Sequence, residues 1–144
     1  MQFTTSLAIA ISAAFGINQE QAQVRLPAPM PEVQTVEEYV REYFIDAPLL
    51  AEIARCESHF RQFDKDGSIH RGRVNKSDLG IMQVNEYYHG EAAQTLGLDL
   101  YTIQGNVAYA RYLYDKEGST PWNSSKACWG KSATYKEIAL NKTK

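Results

Sequence analysis

Glu57 is the residue whose type and position most favour acid–base chemistry. Hydrophobic residues recur every three to four positions from Leu49 to Ala54 and predict a helix that ends close to Glu57. Because a helix dipole favours cations at its C-terminal end, local helix energetics do not explain a carboxylate there. A carboxyl group buried among apolar neighbours keeps its proton to higher pH and can act as a general acid. Glu57 is therefore a candidate for such a group, the alternative being an ordinary exposed helix carboxylate.

A second polar cluster lies between Asp78 and Asn85. Gln83 and Asn85 alternate along a short apolar run, so we expect their amides to face the same side. Such amides could hydrogen-bond a ligand, and Gly80 would permit close approach of the backbone. Asp78 is interpreted either as a second catalytic carboxylate or as a turn residue that bonds its own backbone.

Three motifs in this order resemble the lytic transglycosylase family of the lysozyme superfamily: E-S-x-F at Glu57–Phe60, G-I-M-Q at Gly80–Gln83 and N-V-x-x-A-x-Y-L at Asn106–Leu113. The segment Asp78–Asn85 is also similar to the D-x-G-x-x-Q-I-N of animal-type lysozymes. The resemblance covers about residues 50–129. It implies a mainly α (α+β), lysozyme-like fold with a short β-hairpin or loop beside a catalytic cleft. The implied activity is cleavage of the β-1,4 bond between N-acetylmuramic acid and N-acetylglucosamine in peptidoglycan, with Glu57 as the catalytic acid and base.

The resemblance also implies which residues bind the substrate: Ser58, Gly80, Met82, Gln83, Asn85, Asn106, Tyr112 and Trp122. Met82 and Gln83 would line the cleft, and Asn106 would support it from the start of a helix. Ser58 is interpreted either as a local hydrogen-bonding residue or as a helix cap, and Tyr112 either orients the acid through its hydroxyl or is a core aromatic residue. Exposed aromatic rings suit sugars, which makes four residues candidate cleft walls: Tyr87, Tyr88, Trp122 and Trp129.

Two mechanisms stay open at this point. In lysozymes a second carboxylate acts as nucleophile or stabilises the transition state, and Asp78 favours this hydrolytic route. Lytic transglycosylases work with one carboxyl group and close a 1,6-anhydro ring, and the motif at 106–113 favours that route. The family's A-Y-N-x-G segment is absent; residues 122–129 read W-x-x-S-x-x-C-W instead. That ending resembles a less typical branch and places Cys128 against the helix of Glu57. A non-catalytic cell-wall glycan-binding module is the alternative function.

The first predicted elements follow from helix start signals. Thr35 and Glu38 form a capping box ahead of a helix that ends near Asp46. Pro48 opens the next helix, because proline is well tolerated in a first helical turn. These two helices place Glu57 near the C-terminal end of the second one.

Glycines delimit the rest of the domain. Residues 64–80 are polar and contain three glycines, which predicts a turn-rich loop or a short β-hairpin. Two more helices are predicted over residues 90–96 and 102–116, each ending near a glycine. The polar tail at 131–144 is expected to be loosely held.

The N-terminus has the composition of a leader followed by a linker. Residues 1–16 have no charged side chain, and their apolar stretch is shorter than the roughly 18 residues of a membrane-spanning helix. A signal peptide is therefore predicted, the alternative being a disordered or core-docking segment. Prolines at alternate positions between 17 and 34 predict an extended linker. The predicted organisation is a signal peptide (1–16), a Pro-containing linker (17–34), a catalytic domain (35–130) and a polar tail (131–144).

Cys56 and Cys128 are the two cysteines of the chain. An exported protein meets an oxidising compartment, so we predict a disulfide between them, the alternative being two separate buried thiols. The predicted location is secreted, periplasmic or associated with the cell wall.

Charge and ligand spacing exclude other classes of function. The 144 residues carry 15 basic and 17 acidic side chains without a run of Lys or Arg, so no nucleic-acid partner is expected. Asp64–Gly67 lacks the glycine spacing of a calcium loop, and the three histidines have no zinc-ligand spacing. We expect no cofactor, no metal and no stable membrane span. The expected state is a monomer whose partners are peptidoglycan glycan strands.

Overall fold

The computed structural model describes residues 26–30 and 34–141. The predicted signal peptide, most of the predicted linker and the last three residues of the tail lie outside the described residues. The chain is mainly helical with one small antiparallel sheet. In chain order the elements are α1 (Val36–Tyr43), α2 (Pro48–Ser58), β1 (Asp78–Leu79), β2 (Val84–Asn85), α3 (Glu86–Thr95), α4 (Ile103–Glu117), a 3₁₀ helix (Thr120–Ser125), α5 (Lys126–Trp129) and α6 (Ala133–Asn141).

The starts of α1 and α2 confirm the sequence predictions. Thr35 Oγ1 accepts a hydrogen bond from the Glu38 amide, and the Glu38 carboxylate accepts one from the Thr35 amide, so two otherwise unpaired amides are satisfied. Pro48 occupies the first turn of α2, where a missing N–H costs nothing. Helix α2 ends at Ser58 because the next residue, His59, has a left-handed backbone. Glu57 therefore lies in the last turn of α2.

The core is built around α2 and α4. Leu50 and Ile53 of α2 are fully buried, as are Val107 and Ala108 of α4. The 3₁₀ helix packs against both of these helices, and α1, α5 and α6 pack against α2. Glu57 is therefore carried by an element that is covered on several sides.

The hairpin between β1 and β2 is tight and its turn is buried. Asp78 pairs with Asn85 and Leu79 with Val84, and the turn needs positive φ at Gly80 and Gln83. The predicted alternation of Gln83 and Asn85 along an extended run is thus not what forms, because Gln83 belongs to the turn. A Cβ on Gly80 would lie 2.3 Å from Gln62 Oε1, so only glycine fits there.

Three buried polar side chains hold this turn by its backbone. Ser58 Oγ donates to the carbonyl of Ile81, 2.8 Å away, and Gln62 Oε1 accepts from the Ile81 amide at 3.0 Å. Asn106 Oδ1 accepts from the Met82 amide at 2.9 Å, while its Nδ2 donates to Leu79 O at 3.0 Å. A buried turn needs such partners because unpaired backbone groups away from water are costly.

Two elements differ from the sequence prediction. Helix α3 begins four residues before the predicted start at 90, because Asn85 caps it by accepting hydrogen bonds from the Tyr87 and Tyr88 amides. The predicted loose tail contains α6, whose Tyr135 and Ile138 pack partly buried against the core. Helix α4 starts at the Thr102 cap and ends before Gly118, as predicted.

A disulfide joins Cys56 of α2 to Cys128 of α5, which confirms that pairing. Residues 26–30 belong to no helix or strand, and the Tyr39 hydroxyl of α1 donates to the Ala28 carbonyl at 2.8 Å. Within the described residues, no helix has both the length and the apolar character needed to cross a membrane.

Candidate active site

A cavity of about 230 Å³ brings the main candidate residues together. Helix α2 supplies Glu57, the hairpin supplies Asp78, Gln83 and Asn85, and the 3₁₀ helix supplies Trp122. Five predicted site residues from three separate parts of the sequence thus line one space. His89 of α3 and Leu113 of α4 complete two of its walls.

Glu57 is half-buried, and its two carboxyl oxygens have different surroundings. Oε1 accepts a hydrogen bond of 2.7 Å from Ser125 Oγ. Burial raises the pKa of Glu57; the Ser125 hydrogen bond works in the opposite direction, and the negative charge of Asp78 adds to the increase. The carboxyl group therefore holds its proton to higher pH than an exposed glutamate, which is what a general acid requires.

Asp78 and Asn85 form a pair on the wall of the cavity. Asn85 Nδ2 donates to Asp78 Oδ1 at 2.7 Å, across the register position where the two strands pair. Since Asn85 also caps α3, its amide fixes Asp78, the hairpin and the helix start relative to one another. Asp78 is half-buried and close enough for its charge to act on Glu57.

Gln83 reaches the cavity from the hairpin turn. Its Nε2 donates to the Gly80 carbonyl at 2.9 Å, which closes the turn over its own backbone. Its Oε1 lies on the side of Gly72, where an added Cβ would be 3.0 Å away. The side chain is half-buried, so part of the amide stays open to a ligand.

Five predicted substrate-binding residues do not line the cavity, and four of these five are buried. Ser58, Met82 and Asn106 have at most 1% of their surface exposed, so a ligand in the cavity does not reach their side chains. Ser58 and Asn106 support the hairpin turn instead, through the hydrogen bonds described above. Met82 belongs to that turn, and its backbone amide donates to Asn106 Oδ1. Gly80 is also buried, and the group that approaches its backbone closely is the side chain of Gln62.

The aromatic candidates also divide into residues that line the cavity and residues that do not. Trp122 lines the cavity, and its Nε1 donates to the Met82 carbonyl at 2.9 Å. Trp129 is fully buried, whereas Tyr87 and Tyr88 are exposed on the first turn of α3. Tyr112 is half-buried on α4, where its hydroxyl accepts a hydrogen bond from Lys116, and it contributes no atom to the cavity wall.

Ser125 and His89 were not among the predicted site residues. Ser125 stands in the W-x-x-S-x-x-C-W segment, so a signal for it exists, but nothing local connects it with Glu57. His89 Nδ1 lies 3.2 Å from the Tyr109 hydroxyl, and burial lowers the pKa of its imidazole. No sequence spacing marks His89, which reaches the cavity because α3 starts at Asn85.

A larger cavity, of about 470 Å³, lies on another face of α3. Its carboxylates already have partners: Glu86 pairs with Arg71 at 2.7 Å, and Asp99 Oδ1 accepts from the Tyr101 amide at 2.9 Å. Of these two cavities, the smaller one contains the carboxyl group whose pKa is raised by burial, that of Glu57, whereas the pKa of Glu86 in the larger one is lowered by its hydrogen bond with Arg71. Among the described residues, no group of three or more His, Cys, Asp or Glu side chains is arranged to hold a metal ion.

Comparison with known proteins adds no relative: no protein-family model, no characterised protein and no solved structure matches this chain.

Proposed function

We propose that this chain is a peptidoglycan-cleaving glycosidase that acts on the β-1,4 bond between N-acetylmuramic acid and N-acetylglucosamine, as a lytic transglycosylase or a lysozyme. The observation that carries the proposal is the setting of Glu57. It is a half-buried carboxyl group at the wall of a cavity, with a raised pKa and with amide side chains beside it. The resembling motifs supply the acid itself and Gln83, and the Asp78–Asn85 segment that is similar to lysozymes supplies Asn85.

The first step of the proposed reaction is proton donation. Glu57 gives its proton to the oxygen that links the two sugars, while the C1–O bond breaks and positive charge develops on the sugar ring. The carboxylate that remains then takes a proton from the nucleophile. A water nucleophile gives hydrolysis, and the C6 hydroxyl of the same sugar gives a 1,6-anhydro product.

The neighbours of Glu57 suit a sugar substrate. Gln83 offers amide groups that can bind hydroxyl and N-acetyl groups, and Asp78 offers negative charge close to the developing cation. Trp122 and Leu113 supply apolar surface for the ring faces. The lysozyme-like fold belongs to the same proposal, supported by the helical architecture and by a hairpin beside the acid.

Export is also part of the proposal. A disulfide between Cys56 and Cys128 suits an oxidising compartment, which is where a cell-wall substrate is found. The composition of residues 1–16 supports the same location.

Replacement of the acid tests the activity. Glu57→Gln keeps the shape of the side chain and the acceptor for Ser125 but cannot donate a proton, so clearance of purified cell walls should fall at least about 100-fold. Because burial disfavours ionised Glu57, the variant is expected to unfold at no lower temperature than wild type at neutral pH. Undiminished wall clearance by the variant would remove Glu57 as the catalytic acid. Wild-type protein that binds walls but releases no fragments would favour a glycan-binding module.

Mass spectrometry of the released fragments separates the two mechanisms. Products with 1,6-anhydro ends are 18 mass units lighter, by one water, than products with reducing ends. Transglycosylation predicts the first kind of end and hydrolysis the second, so a single digest of purified walls decides between them.

A further inference from the structure

Ser125 is the side chain that hydrogen-bonds Glu57 within residues 26–30 and 34–141. Its hydroxyl donates to Oε1 at 2.7 Å, and Oε2 has no hydrogen-bond partner in the same part of the chain. No buried side-chain oxygen or nitrogen in the described residues lacks a partner. Oε2 therefore keeps some exposure to solvent, and it is the carboxyl oxygen that has no hydrogen-bond partner among the described residues.

This asymmetry determines where the acid carries its proton. A hydroxyl that donates to Oε1 stabilises that oxygen as an acceptor and disfavours a second hydrogen in the same place. The proton of the neutral carboxyl group then resides on Oε2. That is the oxygen from which it can be transferred to a substrate in the cavity.

The hydroxyl hydrogen of Ser125 can be donated to Glu57 because the competing acceptor has another donor. The Trp122 carbonyl, 3.1 Å from Ser125 Oγ, is the competing acceptor. That carbonyl already receives a hydrogen bond of 3.0 Å from Trp129 Nε1, so it stays satisfied without the serine. Once Glu57 has given up its proton, the negative charge makes its oxygen the stronger acceptor of the two.

The position of Ser125 is fixed from both sides. It ends the 3₁₀ helix, and Trp122 in that helix is bonded to the hairpin turn through the Met82 carbonyl. Three residues later, Cys128 is bonded to Cys56, the direct neighbour of Glu57. The serine and the glutamate are 68 residues apart in the sequence, yet they share these two anchors.

We propose that Ser125 is a positioning residue for Glu57, whose hydroxyl holds Oε1 and thereby keeps the transferable proton on Oε2 at the cavity. Its effect on catalysis rests on the function proposed above. Its effect on the protonation of Glu57 does not, because that effect follows from the hydrogen bond alone.

The sign of the effect follows from the charges around Glu57. A donated hydrogen bond favours the ionised form, so Ser125 lowers the pKa of Glu57 against the effect of burial. The other titratable groups on the cavity wall are Asp78 from the hairpin and His89 from α3. The negative charge of Asp78 raises the pKa of Glu57, and burial lowers the pKa of His89, which keeps that ring neutral around and above neutral pH.

Ser125→Ala tests the proposal with two measurements. Carbon NMR of the Glu57 carboxyl group, assigned with the Glu57→Gln variant, follows its titration without any substrate. The titration is expected to move to higher pH, because the group that favours ionisation is gone. In wall cleavage, kcat is expected to fall about tenfold, the loss typical of one hydrogen bond to a charged group. The alkaline limb of the pH–activity profile should move to higher pH.

Two further variants make the result specific. Ser125→Thr keeps the hydroxyl and is expected to restore both the titration of Glu57 and most of kcat. Ser132→Ala removes a hydroxyl that accepts from the Tyr135 amide in the same C-terminal region, away from the cavity. It should leave the Glu57 titration where it is in wild type.

The outcomes separate this proposal from the proposed function. An unchanged Glu57 titration in Ser125→Ala, or a shift that Ser125→Thr does not reverse, overturns the role of Ser125. Absence of wall cleavage by the wild-type protein would refute the proposed function, and the NMR titration would still decide whether Ser125 controls the proton of Glu57.

Discussion

At the residue scale, two neighbours act on Glu57 in opposite directions. The negative charge of Asp78 raises its pKa, and the hydroxyl of Ser125 lowers it, both superimposed on the larger effect of burial. The pH at which the acid loses its proton is therefore set by a balance that single substitutions can shift either way. Glu57 and Asp78 can be proposed from the sequence because their motifs are local. Ser125 cannot, because its contact with Glu57 exists only after the chain has folded.

Asp78→Asn tests one side of this balance. The variant keeps the size of the side chain and an oxygen that can accept from Asn85, but it removes the charge. The pKa of Glu57 should fall, so the alkaline limb of the activity profile should move to lower pH, opposite in direction to the effect of Ser125→Ala.

The height of the same profile reports the role of Asp78 in the reaction. A carboxylate that stabilises the transition state predicts that the plateau falls by about 100-fold or more in Asp78→Asn. A nearly unchanged plateau would assign Asp78 to the turn, the alternative interpretation of the sequence. A limb that does not move would contradict the electrostatic effect on Glu57.

At the element scale, local signals were sufficient where a helix end depends on nearby residues. Thr35, Pro48 and Thr102 mark helix starts that the structure has at those places. The start of α3 differs from the prediction because Asn85, which lines the cavity, also caps the helix. Ser58 and Asn106 were interpreted as site residues for a related reason. A sequence does not show which buried backbone groups will need a polar side chain as partner.

Two helical glycines provide a matched pair for a stability test. A Cβ at Gly90 in α3 meets no atom within 4 Å, so Gly90→Ala should raise the free energy of unfolding by about 0.5–1 kcal/mol through the lower entropy of the unfolded chain. A Cβ at Gly105 in α4 would lie 2.0 Å from the Asp99 carbonyl oxygen. Gly105→Ala should therefore lower the free energy of unfolding by about 1–3 kcal/mol.

Urea unfolding followed by circular dichroism measures both variants of this pair. Equal changes in the free energy of unfolding would show that helix propensity alone determines the effect of these substitutions. The close approach of α4 to the Asp99 backbone would then not limit the size of residue 105.

At the scale of the whole molecule, the disulfide joins α5 to α2, the helix that carries Glu57. Cys56 and Cys128 could be paired from the sequence because they are the two cysteines of a chain whose first 16 residues predict a signal peptide. The packing that the bond stabilises could not be predicted in the same way. Contacts such as Trp122 with Met82 join residues 40 positions apart and depend on the shape of the core.

Removal of the disulfide should be costly for the molecule. The bond spans 72 residues, and the chain-entropy model assigns such a loop about 4 kcal/mol. Cys56→Ala/Cys128→Ala is expected to unfold at a correspondingly lower urea concentration, measured beside wild-type protein with and without reductant. A midpoint equal to that of oxidised wild type would show that the tryptophan contacts hold the segment alone.

The span of the disulfide also bears on how the protein withstands proteolysis. Every residue that lines the Glu57 cavity lies between Cys56 and Cys128 in the sequence. The exposed stretch at residues 73–76 is a place where a protease could cut. A cut there puts Glu57 and Asp78 on different fragments, but the disulfide still joins those fragments. One broken peptide bond therefore does not let the two parts of the site diffuse apart, and loss of the site would need a second event, reduction of the disulfide.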